Sequence, residues 1–421
     1  MSARRKILCL DTNLEVGGVV TVLLGFLGRL DRAHFDVHVA HEVGGVPAEQ
    51  LAKLDSTTLI PCRFGTKSGR AGASLRGRLL DALSLPLALF TILKLAVYVR
   101  LRGVELIHTS DKIRSVFVAL GVSLLSGRPL VYHVHCVCVD NKLNRFALKR
   151  ATAILANSHA MKADFIAKLG SDMERIQVVH NGVDTRVSAS GPDLRAECEI
   201  PRNAVVIGAA SRLAPNKGQA DLLRAFAHIA ERAPGAWLIL AGDDSIEDGN
   251  ANHRAELEAL ARELGIDQRT RFLGFRSDMD AVYRTTDIVV DAAWEEPFGM
   301  VVVEPMVYGR PVVGTNAGGI PEIIDDGSNG VLVPPRDPEA LGDALLRLVV
   351  DTGWRAALGR GARESVVQRF ELDVHTAQVA AVFEHVANGD APTLSGARSG
   401  GASKNTAAPA VSPNESRGAA R

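Results

Sequence analysis

The chain has 421 residues, of which 47% are hydrophobic, and its formal net charge at pH 7 is zero. This length exceeds what one hydrophobic core usually supports, and the apolar fraction is large enough to build two, so we expect two domains. The balanced charge argues against nucleic acid as a partner, because proteins that neutralise phosphate backbones carry a marked basic excess.

The first residues and the cysteines indicate the compartment. Ile7–Leu10 is the apolar run before Asp11, and it is too short for the core of a signal peptide. The five cysteines, at positions 9, 62, 136, 138 and 198, show no spacing typical of zinc sites or redox pairs, and their odd number fits a reduced compartment. We therefore expect a cytoplasmic protein and interpret Ile7–Leu10 as its first buried strand.

A glycine pair follows this strand. Gly17 and Gly18 precede a helix that is predicted from about residue 21 to residue 30. Glycines at a strand-to-helix turn allow the backbone to approach a ligand closely. The pattern is not the G-x-G-x-x-G of dinucleotide sites, and the alternative is a glycine pair that only packs in a tight turn.

Residues 62–99 are a candidate membrane contact. The segment 62–78 contains five basic residues with glycines between them, and Leu79–Val99 is strongly apolar. An aspartate, a proline and a lysine interrupt the apolar run, which disfavours a helix that spans the membrane. A plain buried helix and an interfacial helix both stay open. The interfacial helix would give peripheral contact with a membrane, at the inner face of the plasma membrane.

Two histidines and two cysteines lie close together in Leu130–Cys138. Because side chains alternate along a strand, His133 and His135 should point to the same face of the sheet. Three interpretations stay open: a metal site, although no further ligand cluster accompanies it; two histidines satisfied in the core; or a histidine at the strand end that faces a cleft. His135 fits the last position better than His133.

A composition change at residues 188–203, which include serines, a glycine and two prolines, indicates the connection between the domains. Val205–Ala210 is predicted as the first strand of the second half, and Arg212 and Lys217 follow it before a predicted helix. A guanidinium fork and an ammonium group at a helix start are suited to a diphosphate. The alternative is that both are ordinary surface charges.

The most informative stretch is Asp291–Pro334. Within it, Glu296 is followed by Pro-Phe-Gly and then by an apolar helix that contains Glu304, so seven residues separate the two carboxylates. A helix that begins at the carboxyl end of a parallel strand offers unpaired N–H groups to an anion. Carboxylates accept hydrogen bonds from hydroxyls, so the pocket suits a nucleotide sugar. The alternative is a capped helix with two solvated glutamates.

The Glu296-x7-Glu304 spacing, followed by Gly-Arg-Pro-Val-Val and Gly-Gly-Ile-Pro-Glu, resembles the donor site of the retaining family 4 glycosyltransferases, group 1. The resemblance covers about residues 7–387. It implies an α/β fold of the GT-B type, in which two facing, Rossmann-like, doubly wound domains form the active site in the cleft between them.

The resemblance also implies a domain organisation. The N-terminal acceptor domain would span residues 1–187, the linker 188–203, and the nucleotide-sugar domain 204–368. A C-terminal helix over residues 369–387 would cross back to the N-terminal domain. The tail 388–421 is rich in glycine, serine, alanine and proline, and we expect it to be disordered.

Particular residues receive roles from the same resemblance. Arg212 and Lys217 would stabilise the departing diphosphate, and Glu296 and His135 would lie at the transferred sugar. The donor-binding residues would be Gly17, Gly18, Gly274, Phe275, Phe298, Gly299, Met300, Val301 and Glu304, the last on the ribose hydroxyls. We expect no essential metal or other cofactor.

Asp278-Met-Asp280 is formally the D-x-D manganese motif of another glycosyltransferase fold. It precedes a predicted helix, and aspartate is common at the N-cap and in the first turn. We therefore interpret both aspartates as helix-start residues and not as metal ligands.

The expected function is transfer from a UDP- or GDP-sugar to a hydroxyl of a saccharide or lipid-linked acceptor, with retention, in the synthesis of cell-surface polysaccharide or glycolipid. No carboxylate nucleophile is evident in the N-terminal half, so we expect attack on the front face. Two alternatives stay open: a nucleotide-sugar epimerase of the same fold, and a non-catalytic binding module. The presence of Arg212, Lys217, Glu296 and Glu304 together argues against the module.

Overall fold

A computed structural model describes most of the chain. The described residues are 4–13, 17–45, 47–64, 75–110, 113–135, 142–169, 176–187, 190–244 and 252–390. They form two parallel β-sheets, each covered by helices. The predicted α/β class is therefore confirmed.

The first sheet is built from the first half of the chain. Its strands are β1 (Arg5–Asp11), β2 (Phe35–Glu42), β3 (Thr57–Cys62), β4 (Leu106–Ser110), β5 (Leu130–Val134), β6 (Ala153–Ala156) and β7 (Ile176–Val178). Its helices are α1 (Gly18–Arg29), α2 (Pro47–Leu51), α3 (Leu75–Arg102), α4 (Ile113–Ser126), α5 (Lys142–Arg150) and α6 (His159–Leu169). The strands are ordered β3-β2-β1-β4-β5-β6-β7.

Both faces of this sheet are buried, because its central strands are continuous apolar runs. Leu8 and Leu10 of β1 pack on one face with residues of α3 and α4. Ile7 and Cys9 pack on the other face with residues of α1. All four side chains are fully buried.

The second sheet has the same construction. Its strands are β8 (Val205–Ala210), β9 (Ala236–Ala241), β10 (Thr270–Gly274), β11 (Ile288–Asp291), β12 (Val312–Thr315) and β13 (Val331–Val333). The helices are α7 (Gln219–Ile229), α8 (His253–Glu263), α9 (Met279–Thr285), α10 (Met300–Met306), α11 (Pro338–Val350), α12 (Thr352–Arg369) and α13 (Leu372–Asn388), with 3₁₀ turns at Pro215–Lys217, Asp267–Arg269 and Ile320–Glu322. The strands are ordered β10-β9-β8-β11-β12-β13.

Each sheet reverses its strand order at one place. After β1 the chain adds β2 and β3 on one side and then returns to add β4 on the other. After β8 it adds β9 and β10 on one side and then returns to add β11 on the other. Doubly wound sheets bind ligands outside the carboxyl ends of the strands at such a reversal. The loops after β1 and after β8 and β11 therefore mark the place of the site.

The last helix of the chain packs on the first sheet. Val379, Val382 and Phe383 of α13 belong to the same core as α1 and β1. At the crossing point, Val183 N donates to the carbonyl oxygen of Phe370 over 2.8 Å, and Leu372 N donates to the carbonyl oxygen of Val183 over 3.0 Å. Residues 391–421, which include most of the tail expected to be disordered, lie outside the described part of the chain.

Candidate active site

Two oppositely charged side chains meet where the second sheet reverses its strand order. Lys217 lies at the end of the 3₁₀ turn that follows β8, and Glu296 lies in the loop that follows β11. Lys217 Nζ donates a hydrogen bond to Glu296 Oε2, and only 15% and 13% of these side chains are exposed. The structure therefore brings together two of the residues that the sequence assigned to catalysis.

The loops after β8 and β11 touch along their backbones. Trp294 N donates to the carbonyl oxygen of Asn216 over 2.9 Å. Gly218 has a φ of +68°, and a Cβ at this position would lie 2.0 Å from the carbonyl oxygen of Ala292. Only glycine allows this approach, which holds Lys217 against the end of β11.

Asp291, the last residue of β11, lies beside this ion pair. Its side chain is 5% exposed, and its Oδ1 accepts a hydrogen bond from Ala293 N over 3.2 Å. Burial and the negative charge of Glu296 raise the pKa of Asp291 to about 7, against the opposing effect of Lys217. No role was predicted for Asp291. An aspartate that ends an apolar strand is the signal that would have indicated one.

Glu304 lies one turn into α10 and is bonded to α9. Tyr283 Oη donates to Glu304 Oε2 over 2.6 Å. Burial raises the pKa of Glu304 in spite of this hydrogen bond, and burial also raises the pKa of Tyr283. The tyrosine fixes the direction of the carboxylate. It was not predicted, because it belongs to a helix 21 residues earlier in the chain.

Arg212 and Gly274 lie on one edge of the second sheet. Arg212 follows β8, and its side chain is exposed. The carbonyl oxygen of Ser211 lies against Gly242, where a Cβ would come within 1.9 Å, and Gly242 N donates to the carbonyl oxygen of Gly274 over 2.8 Å. The loops after β8, β9 and β10 are thus stacked side by side. Phe275 follows with a side chain that is 71% exposed.

Glycines of the next loop shape the turn at Glu296. Gly318 and Gly319 follow β12, and a Cβ at Gly318 would lie 2.1 Å from the carbonyl oxygen of Glu296. Gly319 N donates to that same oxygen over 2.8 Å. Gly299 has a φ of +115° and is the N-cap of α10, as the predicted turn and helix start require. The Gly-Gly pair therefore packs against the backbone of the turn that carries Glu296 and holds it in place.

The ring of Phe298 is packed in the core beside this edge. The ring is 2% exposed and stacks on His180 at a centroid distance of 5.8 Å. The first hydrogen bond within α10 is donated by Val302. The N–H groups of Met300 and Val301 therefore stand outside the helical ladder, in the position that suits an anion or a hydroxyl.

The glycine pair lies at the strand-order reversal of the first sheet. Gly17 is the N-cap of α1, and both Gly17 and Gly18 are exposed. A Cβ at either position would meet no described heavy atom within 4 Å beyond its chain neighbours. This open space disfavours the alternative of a glycine pair required by packing. Nearby Asp11 ends β1 as a buried residue, and its Oδ1 accepts from Asn13 Nδ2 over 2.6 Å.

His135 directly follows β5 and belongs to a group of four buried histidines with His108, His133 and His375. The ring centroids of His133 and His135 are 4.1 Å apart, so they share a face, as strand alternation predicted. Burial lowers the pKa of His108 to about 3 and that of His375 to about 4, which leaves both rings neutral. Within the described residues the four rings do not gather their nitrogens into a metal-binding group. The neighbouring cysteines, 136 and 138, lie outside the described residues.

A carboxylate from the second sheet binds the start of α6 on the first. Glu322 accepts hydrogen bonds from the backbone N–H groups of His159 and Ala160, both over 2.8 Å, and is bonded to His180 Nε2 over 2.9 Å. Burial alone would raise the pKa of Glu322, but these hydrogen bonds outweigh it and lower the pKa.

The side chains of His159, His180 and Glu322 each place a ligand atom within 4.8 Å of the others, which also suits a metal ion. The carboxylate already accepts from N–H donors at the positive end of a helix, where a cation is disfavoured. We therefore interpret Glu322 as an anchor between the two sheets.

Ser158 makes a second connection between the sheets. Its Oγ donates to the carbonyl oxygen of Pro297 over 2.6 Å and accepts from Met161 N over 3.0 Å. The start of α6 is thereby joined to the turn that carries Glu296. No role was predicted for Ser158 or Glu322, because their partners lie 139 and 142 residues away in the chain.

The D-x-D aspartates are held in ion pairs at a helix start. Asp278 occupies the N-cap position of α9 and pairs with Arg276 over 2.6 Å. Asp280 lies in the first turn and pairs with Arg284 over 3.3 Å. Their interpretation as helix-start residues is confirmed.

Two family models match the chain. The model described as Glycosyltransferase Family 4 matches residues 16–187. The model described as Glycosyl transferases group 1 matches residues 192–365. The first match covers most of the first sheet, and the second covers all strands of the second sheet.

Curated relatives carry a related name. A D-inositol 3-phosphate glycosyltransferase of Corynebacterium kroppenstedtii is 38% identical over 224 residues, which are 51% of this chain and 49% of that protein. One from Saccharomonospora viridis is 33% identical over 275 residues, which are 64% of this chain and 62% of that protein. The matches thus span about half to three fifths of the length of these relatives.

Solved structures share the fold. HepE from Anabaena, in complex with UDP and glucose, superposes with a TM-score of 0.75 at 27% identity, covering 90% of this chain and 100% of that chain. Sucrose-phosphate synthase from Thermosynechococcus elongatus gives 0.73 at 20% identity, covering 92% and 100%. These likenesses confirm the predicted two-domain GT-B fold. Family models, relatives and fold agree, and the chain is therefore a member of the family 4, group 1 glycosyltransferases, a family of transferase enzymes.

Proposed function

We propose that this protein transfers a glycosyl residue from a nucleoside diphosphate sugar to a hydroxyl group of a saccharide or lipid-linked acceptor. The observation that carries the proposal is the meeting of Lys217, Glu296 and Asp291 at the strand-order reversal of the second sheet. Nucleotides bind doubly wound sheets at this edge. The solved complexes of HepE with UDP and with UDP-glucose support UDP as the first nucleotide to test.

The two cations would receive the diphosphate. Glu296 holds the ammonium group of Lys217 at the site, and the exposed side chain of Arg212 lies on the same loop. On binding, Lys217 would share its charge between a phosphate oxygen and Glu296. A guanidinium fork and a compact ammonium group together suit two adjacent phosphates.

The carboxylates would bind hydroxyl groups. Glu296, with the N–H groups of Met300 and Val301, would hold the sugar, and Glu304 would accept from the ribose in the direction that Tyr283 fixes. His135 would lie at the sugar from the first sheet. A protonated Asp291 would keep one negative charge away from the diphosphate.

The reaction exchanges one bond at the anomeric carbon for another on the same face. The bond to the β-phosphate oxygen breaks, and its electron pair leaves with the nucleoside diphosphate. The acceptor oxygen forms the new bond, and its proton passes to the departing phosphate oxygen, so the configuration is retained. Stabilisation of the leaving group by Arg212 and Lys217 is the main catalytic effect, and one preorganised donor contributes about 3 kcal/mol.

Substitution of the two cations tests this function. Arg212→Ala and Lys217→Ala are each expected to lower kcat by about 10²- to 10³-fold with UDP-glucose as donor. D-inositol 3-phosphate and simple saccharides are the first acceptors, and NMR of the product reports the anomeric configuration. Arg232→Ala is the matched control, since this half-exposed arginine pairs with Asp343 at 3.6 Å and not with the site. Equal rates in all three variants, or a trapped covalent glycosyl-enzyme, would contradict the mechanism.

The same assays separate the two rival functions. An epimerase would isomerise the UDP-sugar when no acceptor is present. A binding module would be stabilised by the donor, by about 2.7 kcal/mol at a hundred times its Kd, and would show no turnover with any acceptor. The increase in melting temperature on addition of UDP-, GDP- or ADP-sugars, compared among the three, identifies the nucleotide that the protein binds.

A further inference from the structure

We propose that the outer surface of α3, with exposed parts of α4 and α5, binds an anionic membrane. The α3 surface consists of Leu85, Leu87, Leu89, Phe90, Leu93, Val97 and Leu101 of α3, Leu124 and Leu125 of α4, and Phe146 of α5. Each of these large apolar side chains is at least 39% exposed. They are ten of the fifteen exposed large apolar residues in the described part of the chain, so the exposure is concentrated on three helices.

The two faces of α3 differ in what they contact. Ala88, Ile92, Leu95 and Val99 are buried in the core of the first sheet. On the opposite face, Lys94 and Arg100 are the charged residues between Leu85 and Leu101. A surface helix normally turns charged and polar residues to water, and a large exposed apolar patch indicates a binding surface.

The burial of one face of α3 indicates whether the helix would span the bilayer or lie on its surface. Ser84–Arg102 is long and apolar enough to cross a bilayer, with a mean hydropathy of 1.6, by length and composition alone. However, 39% of this stretch is buried inside the protein, where it packs beside α4 in the core of the first sheet. Removal of the helix from the fold would open that core. The helix therefore lies on the bilayer, with its outer face at the level of the headgroups.

The charges select an anionic surface as the partner. Residues 84–102, 113–126 and 142–150 contain no aspartate or glutamate. Exposed cations of α3 and α5 lie around the apolar residues: Lys94, Arg100, Arg102, Lys142, Arg145, Lys149 and Arg150. Apolar side chains combined with lysine and arginine bind bilayers that contain anionic lipids. Of the basic segment predicted at residues 62–78, residues 65–74 and the side chains of 75–78 lie outside the described residues, as do the side chains of 79–83, and the surface is defined without them.

The position of α3 relates this surface to the cleft. The helix connects the carboxyl end of β3 with the start of β4, so it runs antiparallel to the strands. Its first half, which includes Leu85 and Leu87, therefore lies toward the edge of the sheet that carries Gly17 and His135, and the rest of the α3 surface extends from there toward the opposite edge. A membrane on the α3 surface would bring a lipid-linked acceptor beside the first sheet, an extension that rests on the proposed function.

Vesicle co-sedimentation of the full chain tests the proposal. Binding to vesicles of phosphatidylglycerol and phosphatidylcholine in equal amounts should be at least about tenfold stronger than binding to pure phosphatidylcholine, and added salt should weaken it. The triple variant Leu89→Ser, Phe90→Ser, Leu93→Ser should lose binding about tenfold. The double variant Lys149→Glu, Arg150→Glu should weaken it by a similar factor.

Controls keep the result independent of folding and of catalysis. Val350→Ser and Val374→Ser remove exposed apolar side chains from α11 and α13, and they should bind vesicles as the wild type does. The serine triple variant should keep its melting temperature and its turnover of a soluble acceptor. The proposal fails if wild type ignores anionic vesicles or if the triple variant binds them normally. It also fails if wild type is a dimer that the triple variant dissociates without lipid, because a second copy would then cover the surface.

Discussion

The charge of the site depends on the protonation of the Asp291 carboxyl group. Its pKa is raised to about 7 by burial and by Glu296, and the ordinary value is 3.8. Because the folded state holds this proton more tightly, the stability it contributes is present below the ordinary pKa and is lost as pH rises through about 7. The contribution of Asp291 to the free energy of unfolding of the wild type should therefore fall between mildly acidic and mildly basic pH.

Asp291→Asn removes this titration. We expect the free energy of unfolding of the variant, relative to wild type, to increase by about 2 kcal/mol between pH 5 and pH 8. Urea denaturation at the two pH values measures the difference. Glu263→Gln, at an exposed carboxylate on α8, is the matched control and should give the same difference at both pH values. A parallel pH dependence of wild type and Asp291→Asn would show that Asp291 is ionised throughout.

Individual site residues were predictable only when they were close in sequence to a recognisable turn. Lys217 and Glu296 each follow an apolar strand, so the edge they share follows from the rule for parallel sheets. Tyr283 and Ser158 have no such signal. Their partners are set by the packing of α9 and α6, and helical or strand periodicity reports only near neighbours.

Among the elements, the turn at Glu296 depends on the loop after β12. Gly318 has a φ of +58°, and a Cβ there would lie 2.1 Å from the carbonyl oxygen of Glu296. Gly318→Ala should therefore displace the turn. We expect it to lower stability by about 2–3 kcal/mol and to lower kcat/KM at least about tenfold, through the position of Glu296 and α10.

Gly327→Ala separates backbone strain from displacement of the turn. Gly327 also has a positive φ, +74°, but a Cβ there would meet no described heavy atom within 4 Å beyond its neighbours. This variant should lose about 1 kcal/mol from strain alone and keep its turnover. Circular dichroism melts and steady-state kinetics of both variants provide the comparison. Identical kinetic defects would mean that the loop does not position the turn.

The strands were predicted better than the other elements for a physical reason. Val205–Ala210 agrees with the prediction to the residue, and the predicted strand Ile7–Leu10 lies within β1 (Arg5–Asp11), because central parallel strands are buried on both faces and read as apolar runs. β3 was missed, since an edge strand alternates buried and exposed residues over a short length. α5 and α8 were missed because most of their residues are polar or charged. Their helical conformation therefore depends on tertiary packing, which a local apolar pattern does not reveal.

At the scale of the whole molecule, Glu322 connects the two sheets. Its pKa is lowered in the folded state, so the stability of its contacts is present above the ordinary value of 4.5 and is lost as pH falls through the folded pKa. Glu322→Gln cannot accept from His180 with its amide nitrogen. We expect it to cost about 1–3 kcal/mol at pH 7 and to broaden the range of distances between the sheets.

Chemical denaturation and small-angle X-ray scattering measure these two effects. Glu364→Gln, at an exposed carboxylate on α12, should change neither. The stability difference between wild type and Glu322→Gln should shrink as pH falls below 4.5, the ordinary value for a glutamate. A difference that is constant with pH would indicate that the charge of Glu322 plays no part.

The position of α13 has a consequence for the order in which this protein is made. The core of the first sheet includes Val379, Val382 and Phe383, which are synthesised about two hundred residues after β7. While the chain emerges from the ribosome, the apolar surface of α1 that packs against α13 stays exposed until α13 has been translated. The nascent N-terminal half is then the species that a chaperone would recognise, and release of the last helix is the event that ends its exposure.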